Sequence, residues 1–301
     1  MFGIIFSLAM LIALPAAFIA TLWKAAFKSR QEWLLDALTK MIFLVWLFKS
    51  GHWDLIGYFF RYVWVGLFIV ALVMSWRKTR ALPFRTTYTE KQEMTMGVQV
   101  IVLLLFTLFN VFVFTSYSVK EESIELAFPH KQGTYYVGHG GNNVQMNYHH
   151  ANESQKYALD IVKLTKLGTR ANGIYSKDLS KYAIFEDELY SPCNGEVVET
   201  RNDLPDLTPP ESDSERPEGN YVALVCEQHD ATLFLAHMQE GSVVVAEGDE
   251  VKTGQLLGKV GNSGNTSEPH LHIHAELDGV GVPLTFNDRF LVRNSLIKTG
   301  E

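Results

Sequence analysis

Long apolar stretches fill the first third of the chain and are separated by short polar loops. Residues 1–23 and 98–116 contain no charged side chain, and residues 58–76 contain only Arg61, near one end. Each stretch approaches the ~20 residues that an α-helix needs to cross a bilayer. The pattern therefore predicts an N-terminal α-helical transmembrane region.

A fourth stretch, residues 33–49, is apolar but interrupted by Asp36 and Lys40. These side chains lie four residues apart, so they can neutralise each other on one helix face. We predict about four spans, of which this one is the weakest. A cleaved signal peptide is the alternative for the first stretch. That stretch lacks a basic leading segment and its positive charges follow it, which favours a retained helix.

Basic residues concentrate in two of the loops. Three follow the first stretch within residues 24–30 and five lie in residues 77–91, whereas the loop at 51–57 holds His52 and Asp54. By the positive-inside rule, the two basic loops face the cytoplasm. The last span then delivers the chain from residue 117 to the extracytoplasmic side, with or without the weak span.

Charge divides the chain at the same place. Residues 1–116 contain eleven Lys and Arg against five Asp and Glu, and the remainder contains fifteen against twenty-eight. The second part is therefore strongly acidic, which argues against nucleic acid as a partner. We predict transmembrane helices at 1–116, a stalk at 117–129 and one compact domain at 130–301, a typical single-domain size.

The candidate chemistry lies in a histidine-rich strand near the C-terminus. In residues 262–274, a turn of Gly, Ser and Asn leads into apolar residues that alternate with His270, His272 and His274. Alternate side chains of a strand share one face, so the three imidazoles lie together. Protonated imidazoles would repel one another there, whereas neutral ones are good zinc ligands. The pattern predicts a zinc site rather than a histidine-rich surface strand.

Other candidates for this site lie upstream. Asp160 lies in the apolar segment YALDIV, where a carboxylate is costly to bury unless it is paired or bound to a metal. The alternative is a strand-end residue that caps a turn. His237 ends the apolar segment LFLAHM, where a buried structural histidine is the alternative. The adjacent His149 and His150 complete the set.

These segments together resemble the lysostaphin/LytM-type zinc metallopeptidases, which cleave peptidoglycan peptides. The resemblance covers about residues 130–290. Its most specific motifs are Ala236-His237, the glycine-spaced run Gly248–Gly258, and Gly261–Gly264 leading into Pro269-His-Leu-His272. The resemblance implies a mainly β domain of the duplicated-hybrid-motif type seen in LytM-like peptidases.

The resemblance also implies site residues, with one departure. Asp160 and His272 correspond to zinc ligands, and the family places a third ligand, a His, four residues before the Asp. Here that position is Lys156, which as a cation cannot bind zinc. His149 is preferred as the third ligand because Asn-Tyr-His resembles the motif in relatives with a longer connection, and His150 stays open. If neither reaches the metal, the domain is a non-catalytic relative.

The mechanism implied by the resemblance is metal-assisted hydrolysis of a peptide bond. Zn²⁺ polarises the scissile carbonyl and lowers the pKa of a water toward neutrality. His237 and His270 are the catalytic residues, which orient or deprotonate that water and donate hydrogen bonds to the developing oxyanion.

The predicted protein is thus a multi-pass zinc metalloendopeptidase of the cell membrane with an extracytoplasmic peptidase domain. Its partners are the lipid bilayer and peptidoglycan peptides. The main alternative is a catalytically inactive LytM-like module that binds the wall or regulates another hydrolase. A histidine phosphocarrier ranks last, because an extracytoplasmic domain has no phosphodonor.

Three further features have open alternatives. His274 replaces a Glu that the family often has, and either supports the metal ligand through a hydrogen bond or is solvated. The acidic, Pro-rich segment 204–218 is expected to be a solvated, mobile insertion, which is either a plain surface loop or a border of the groove. Cys193 and Cys226 either form a disulfide, which an extracytoplasmic location permits, or are buried thiols.

Overall fold

The protein comprises two compact units. The structure, a computed structural model, describes residues 2–300, so that Met1 of the first predicted span lies outside them. A helical unit contains the chain up to Trp53 and Tyr58–Phe114, and a β unit contains Asp54–Gly57 and the chain from Thr115 onward. The domain bounds given above stay a prediction.

The helical unit consists of five α-helices in the described chain. They are α1 (Phe2–Leu8), α2 (Leu14–Lys24), α3 (Arg30–Ser50), α4 (Phe60–Thr79) and α5 (Glu90–Thr115), with a π-helical segment, Ala9–Ala13, joining α1 to α2. Within residues 2–300, three helical stretches are long and apolar enough to cross a membrane: Gly3–Lys24, Phe60–Thr79 and Glu90–Thr115.

The weak fourth span is the point at which the structure differs from the prediction of about four. The helix itself forms as α3, and Ser29 caps it by accepting a hydrogen bond from the backbone N–H of Glu32 at 3.1 Å. Asp36 and Lys40 pair at 2.5 Å, as their spacing suggested. Its polar content nevertheless keeps α3 outside the three membrane-length apolar stretches in the described residues. The predicted architecture, apolar helices followed by a mainly β domain, is confirmed.

The β unit contains fourteen strands within the described residues. They are β1 (Ile124–Leu126), β2 (Gly133–His139), β3 (Leu159–Lys163), β4 (Glu188–Tyr190), β5 (Gly195–Arg201), β6 (Asn220–Cys226), β7 (Thr232–Met238), β8 (Glu250–Val251), β9 (Leu256–Lys259), β10 (Leu271–Leu277), β11 (Val280–Val282), β12 (Leu284–Phe286), β13 (Arg289–Phe290) and β14 (Leu296–Thr299). In the described chain, nine of them form one sheet in the order β14-β2-β3-β10-β7-β6-β5-β8, with β11 paired to β10. β1, within the segment predicted as a stalk, pairs in parallel with β12.

Packing of the central strand β10 decides which face carries the histidines. Leu271, Ile273 and Ala275 are almost fully buried in the hydrophobic core, together with side chains of β3, β6 and β7. Burying a Leu or Ile side chain stabilises the fold by about 1.5–3 kcal/mol. Because successive side chains of a strand point to opposite faces, this burial fixes His272 and His274 on the other face.

The two cysteines form a disulfide, which answers the question left open by the sequence. Cys226 ends β6 and is opposite Gly195 of β5, and Cys193 lies two residues before that glycine. Their Cα atoms are 5.8 Å apart and the sulfur atoms are bonded. The pairing of β5 with β6 thus brings the two cysteines together.

Candidate metal centre

The register of three neighbouring strands assembles the centre. β10 lies between β3 and β7, and His272 is opposite both Asp160 of β3 and Ala236 of β7. His237 follows Ala236 directly. The register therefore places Asp160 and His272, which are 112 residues apart in sequence, on one face of the sheet.

A short 3₁₀ turn, Tyr148–Ala151, supplies His149. Asn147 caps this turn, because its side-chain oxygen accepts a hydrogen bond from the backbone N–H of His149 at 3.2 Å. The amide nitrogen of the same buried side chain donates to the carbonyl of Ala158 at 2.9 Å, immediately before β3. Asn147 thus holds the turn against the strand that carries Asp160.

The two adjacent histidines have different partners. Nε2 of His149 lies 2.9 and 3.0 Å from the carboxylate oxygens of Asp160. Nδ1 of His150 instead lies 3.1 Å from the carbonyl oxygen of Lys156. The side chain of Lys156 pairs with Glu153 at 3.1 Å. The loop between His149 and Asp160 therefore accommodates the lysine that replaces the family's usual ligand.

His149, Asp160 and His272 form a compact set of possible metal ligands. Nδ1 of His272 lies 2.9 Å from Oδ1 of Asp160, and one ligand atom from each of the three residues lies within 4.8 Å of the others. All three residues are buried. Two imidazoles and one carboxylate are a donor set that suits a catalytic zinc ion with an open position.

His237 and His270 flank these three side chains. Nδ1 of His237 donates to the carbonyl of Ser263 at 2.9 Å, and Nδ1 of His270 donates to that of Glu268 at 2.8 Å. In each neutral ring, Nε2 then carries the lone pair. Nε2 of His270 lies 3.5 Å from Oδ1 of Asp160. Both rings can therefore accept a proton beside the possible metal ligands.

The backbone at His237 adopts an unusual conformation. Its φ is 60°, a value that non-glycine residues rarely adopt. Its N–H donates to the carbonyl of Glu218, and its own carbonyl accepts from the N–H of Gly261, both at 2.9 Å. Such strain clusters at functional sites, where the surrounding structure enforces it.

His274 supports the centre from the side remote from Asp160. It is 3 % exposed, so the solvated alternative does not apply. Its ring stacks on Phe234 with centroids 4.8 Å apart, and its Nδ1 lies 3.1 Å from Nε2 of His272. When His272 donates from Nε2, its Nδ1 keeps the lone pair that faces Asp160.

Burial and mutual charge set the protonation of the centre. Burial raises the pKa of Asp160, but His149 and His270 outweigh it and hold this pKa well below the usual range. Burial lowers the pKa of His272 to about 4. Burial also lowers the pKa of His237 well below its usual value, and charge on His270 and His272 adds to this effect. Burial also lowers the pKa of His270, but Asp160 outweighs it and raises this pKa.

A cavity of about 460 Å³ opens onto this centre. His149, His237 and His272 line it, and its walls come from the segment 148–155, from Pro217 and Glu218, and from Asn265. Tyr148, on its rim, is 54 % exposed with its ring 4.0 Å from that of His149. Sequence reasoning did not assign Tyr148 to the site, although its position beside His149 was the available signal.

The acidic segment 204–218 is largely exposed, as predicted, but it is anchored rather than free. The backbone N–H of Asn262 donates to Asp206, and that of Asn265 donates to the carbonyl of Pro217. Gly219 packs so closely on Ser263 that a Cβ there would lie 2.3 Å from its carbonyl oxygen. The segment therefore borders the groove, which corrects the expectation of a plain, mobile surface loop.

Comparison with known protein families gives one match, within the β unit. The model of peptidase family M23 matches residues 181–283. This region, about a third of the chain, contains His237, His270 and His272, whereas His149 and Asp160 precede it. No curated protein sequence matches the chain.

Solved structures with a similar fold include three bacterial proteins. A protein from Pseudomonas aeruginosa assigned to peptidase M23 is 15 % identical, covering 67 % of this chain and 62 % of that one, with a TM-score of 0.31. The antimicrobial peptidase lysostaphin from Staphylococcus simulans is 16 % identical, covering 55 % and 51 %, with a TM-score of 0.29. A zinc-containing peptidase from Vibrio cholerae is 18 % identical, covering 42 % and 48 %, with a TM-score of 0.26.

The match spans less than two thirds of each of these three proteins. Because every TM-score lies below 0.5, the assignment rests on the family model and on the motifs in the sequence. The resemblance stated above is confirmed, because the model of peptidase family M23 matches residues 181–283 of the β unit.

Proposed function

We propose that this protein is a membrane-anchored zinc endopeptidase that cleaves peptide bonds of peptidoglycan on the extracytoplasmic side. The observation that carries the proposal is the environment of Asp160. Within the described residues, each of its ion-pair partners is an imidazole: His149, His270 and His272. A buried carboxylate among imidazoles is the donor chemistry of a zinc site.

His149, Asp160 and His272 would hold the metal. Bound there, zinc supplies a Lewis acid that polarises the scissile carbonyl and makes a water more acidic. The buried surroundings of the three side chains exclude bulk water and strengthen their interactions with charge. His274 fixes the orientation of His272 by accepting a hydrogen bond from its Nε2–H.

His237 and His270 act on the reacting groups. Their Nδ1–H groups donate to the carbonyls of Ser263 and Glu268, so Nε2 of each neutral ring carries the lone pair. His237 lines the cavity, and Nε2 of His270 lies 3.5 Å from Oδ1 of Asp160. One Nε2 accepts a proton from the attacking water as a general base. The other, once protonated, donates a hydrogen bond to the oxyanion that develops on the substrate carbonyl.

The groove suits an extended, polar peptide. Its lining combines residues of the segment 148–155 with Glu218 and Asn265, and it is partly open to solvent. The resemblance to the peptidoglycan-cleaving LytM-type peptidases supports a wall peptide as the substrate. The membrane helices then serve to keep the peptidase domain beside the wall.

The proposed sidedness is inferred from the basic loops 24–30 and 77–91, and the helix order is consistent with it. α4 and α5 are both long and apolar enough to cross a membrane, and they separate Asp54–Gly57 from the chain after Thr115. Two crossings return the chain to the side on which it started. A periplasmic-type reporter fused after Glu301 should be active only outside the cytoplasm, and cytoplasmic activity of that fusion would contradict the topology.

The central experiment is metal analysis of the purified full-length protein, combined with a peptidoglycan-digestion assay. We expect stoichiometric zinc and release of peptide fragments. His272→Ala should lose zinc and activity together, because the site keeps only two ligands. Zinc retained in that variant would refute the ligand assignment. A wild-type protein without zinc would favour the alternative, an inactive module that binds the wall or regulates another hydrolase.

A further inference from the structure

An ion-pair network outside the metal centre connects a remote segment to one of its histidines. Arg170 is 9 % exposed and lies between two carboxylates of the β unit. Its Nη1 lies 3.0 Å from Oδ2 of Asp54, and its Nε lies 2.8 Å from Oε1 of Glu268. The backbone N–H of Arg170 also donates to the carbonyl of Asp54 at 2.9 Å.

The network ends at the backbone that orients His270. The carbonyl oxygen of Glu268 accepts the hydrogen bond from Nδ1 of His270 at 2.8 Å, and it also accepts one from Thr266 at 2.8 Å. The position of Glu268 therefore decides the tautomer and the direction of the His270 ring. Its own side chain is held by Arg170, which links this loop to Asp54.

We infer that Arg170, anchored by Asp54, is a positioning residue that holds the loop around Glu268 and thereby aims Nε2 of His270 at the reacting centre. This inference rests on the proposed function. It also gives a role to Asp54–Gly57, a four-residue segment that belongs to the β unit although about sixty residues separate it from the rest. A β domain expressed from residue 115 onward lacks Asp54 and half of this network.

Charge explains why Arg170 is needed. Burial raises the pKa of Glu268, and Arg170 acts against this rise by stabilising the carboxylate. Without the guanidinium, Asp54 and Glu268 would be two buried carboxylates facing each other, which is costly unless one of them moves to solvent. Movement of Glu268 shifts the carbonyl that holds His270.

The test compares Arg170→Met with Lys163→Met in the full-length protein. Lys163 pairs with Asp187 at 2.6 Å in the same unit, so its variant is a matched control for loss of a partly buried cation. We expect Arg170→Met to lower kcat about 10- to 100-fold, the scale of a misplaced catalytic group. Zinc content and KM should stay near those of wild type. Lys163→Met should keep kcat within twofold.

Two further arms separate positioning from general stability. Asp54→Asn should lower kcat less than Arg170→Met does. Arg170→Lys should lower kcat less than Arg170→Met as well, because lysine restores the positive charge but not the planar guanidinium that can contact two carboxylates. Hydrogen exchange followed by mass spectrometry should show faster exchange of residues 264–270 in Arg170→Met but not in Lys163→Met.

The exchange measurement does not require a working enzyme, so it tests the positioning even if the protein proves to be inactive. A wild-type protein that has neither zinc nor activity would contradict the proposed function but not this inference. Unchanged exchange at 264–270, or a kcat for Arg170→Met within twofold of wild type, would overturn the inference. If Arg170→Met does not fold, Asp54→Asn decides the same question by the same two readouts.

Discussion

Two carboxylates of the β unit, the buried Asp160 and the partly buried Asp187, have different surroundings. Asp187 accepts hydrogen bonds from Lys163 at 2.6 Å and from the hydroxyl of Tyr135 at 2.6 Å, and Nδ1 of His130 lies 3.1 Å away. Asp160 has imidazole partners instead, at 2.9 to 3.5 Å. Asp187 has a permanent cation, Lys163, among its partners, whereas each ion-pair partner of Asp160 in the described residues is an imidazole.

The difference separates a structural ion pair from a ligand set. An ammonium group next to Asp187 satisfies the charge and leaves no need for a metal ion. Imidazoles can offer lone pairs where an ammonium group cannot, so the cluster around Asp160 has the donor atoms that a divalent cation needs. Removing side chains from the two clusters should therefore affect metal binding in one case and stability in the other.

The largest effect is expected at the adjacent pair His149 and His150. His149→Ala should abolish stoichiometric zinc binding and peptidoglycan cleavage, because His149 contacts the Asp160 carboxylate. His150→Ala should keep both, since its ring contacts the carbonyl of Lys156. Metal analysis of the two purified variants measures the difference. The reverse pattern would transfer the ligand role to His150, and zinc retained in both would place the ligand elsewhere.

Next in size is the loss of a group that acts on water. His237→Ala and His270→Ala should each lower turnover by about two to four orders of magnitude, as expected for a lost general base or oxyanion donor. Both variants should keep their zinc, because the three ligands remain. Turnover on a peptidoglycan fragment and zinc content measured on the same samples test this. Loss of the metal in either variant would make that histidine a ligand.

A smaller effect is expected from the residue behind the ligand. His274→Leu removes the acceptor for Nε2–H of His272 and should weaken zinc binding by about 10- to 100-fold, the usual effect of losing such a partner. His274→Gln offers a side-chain oxygen at a similar position and should bind zinc more tightly than His274→Leu. Competition with a chelator gives both affinities. Equal affinities for wild type and His274→Leu would show that this hydrogen bond is unimportant.

The smallest effect on activity is expected at the structural carboxylate. Asp187→Asn should lower the free energy of unfolding at pH 7 by about 1–3 kcal/mol, because it leaves Lys163 without its charged partner. Zinc content and turnover should not change. Chemical denaturation of both proteins at pH 7 gives the difference in stability, and a loss of zinc in this variant would erase the contrast between the two carboxylates.

The same variant has a defined pH dependence. Burial raises the pKa of Asp187, but hydrogen bonds and charge from His130 and Lys163 outweigh it and lower this pKa below 3.8. The ionised group stabilises the folded state above the unfolded pKa of about 3.8, and this contribution is lost as the pH falls through the lower folded value. The stability difference between wild type and Asp187→Asn should therefore shrink below about pH 4. A difference that grows there would contradict the sign.

The helices and the histidine face were predictable because each follows from a local pattern. Uncharged stretches of about 20 residues indicate membrane-length helices whatever surrounds them. The alternation of apolar residues with His270, His272 and His274 already places these rings on one face. The apolar surroundings of Asp160 likewise marked it as a carboxylate that needs a partner. The family motifs then suggested the fold that joins these segments.

The span count and the acidic segment show where local patterns were insufficient. α3 is a 21-residue helix, long enough to cross a membrane, but Asp36, Lys40 and Lys49 keep it outside the three apolar stretches of the described residues. Segment 204–218 has the composition of a free loop, yet hydrogen bonds to the 261–265 turn anchor it. Those partners lie about fifty residues away, so composition alone could not reveal them.

Tertiary structure alone decided how the loop before β3 folds. Lys156 stands where the family has a ligand, and the sequence favoured His149 as its substitute but left His150 open. The cap and cross-link made by Asn147 turn His149 toward Asp160 and leave His150 on a backbone carbonyl. Arg170 was equally invisible, because Asp54 and Glu268 are remote from it in sequence. The sequence determined which side chains could do the chemistry, because hydrophobic periodicity is a local property. Only the tertiary structure brings these side chains together, because that depends on strand register and on loop contacts between distant segments.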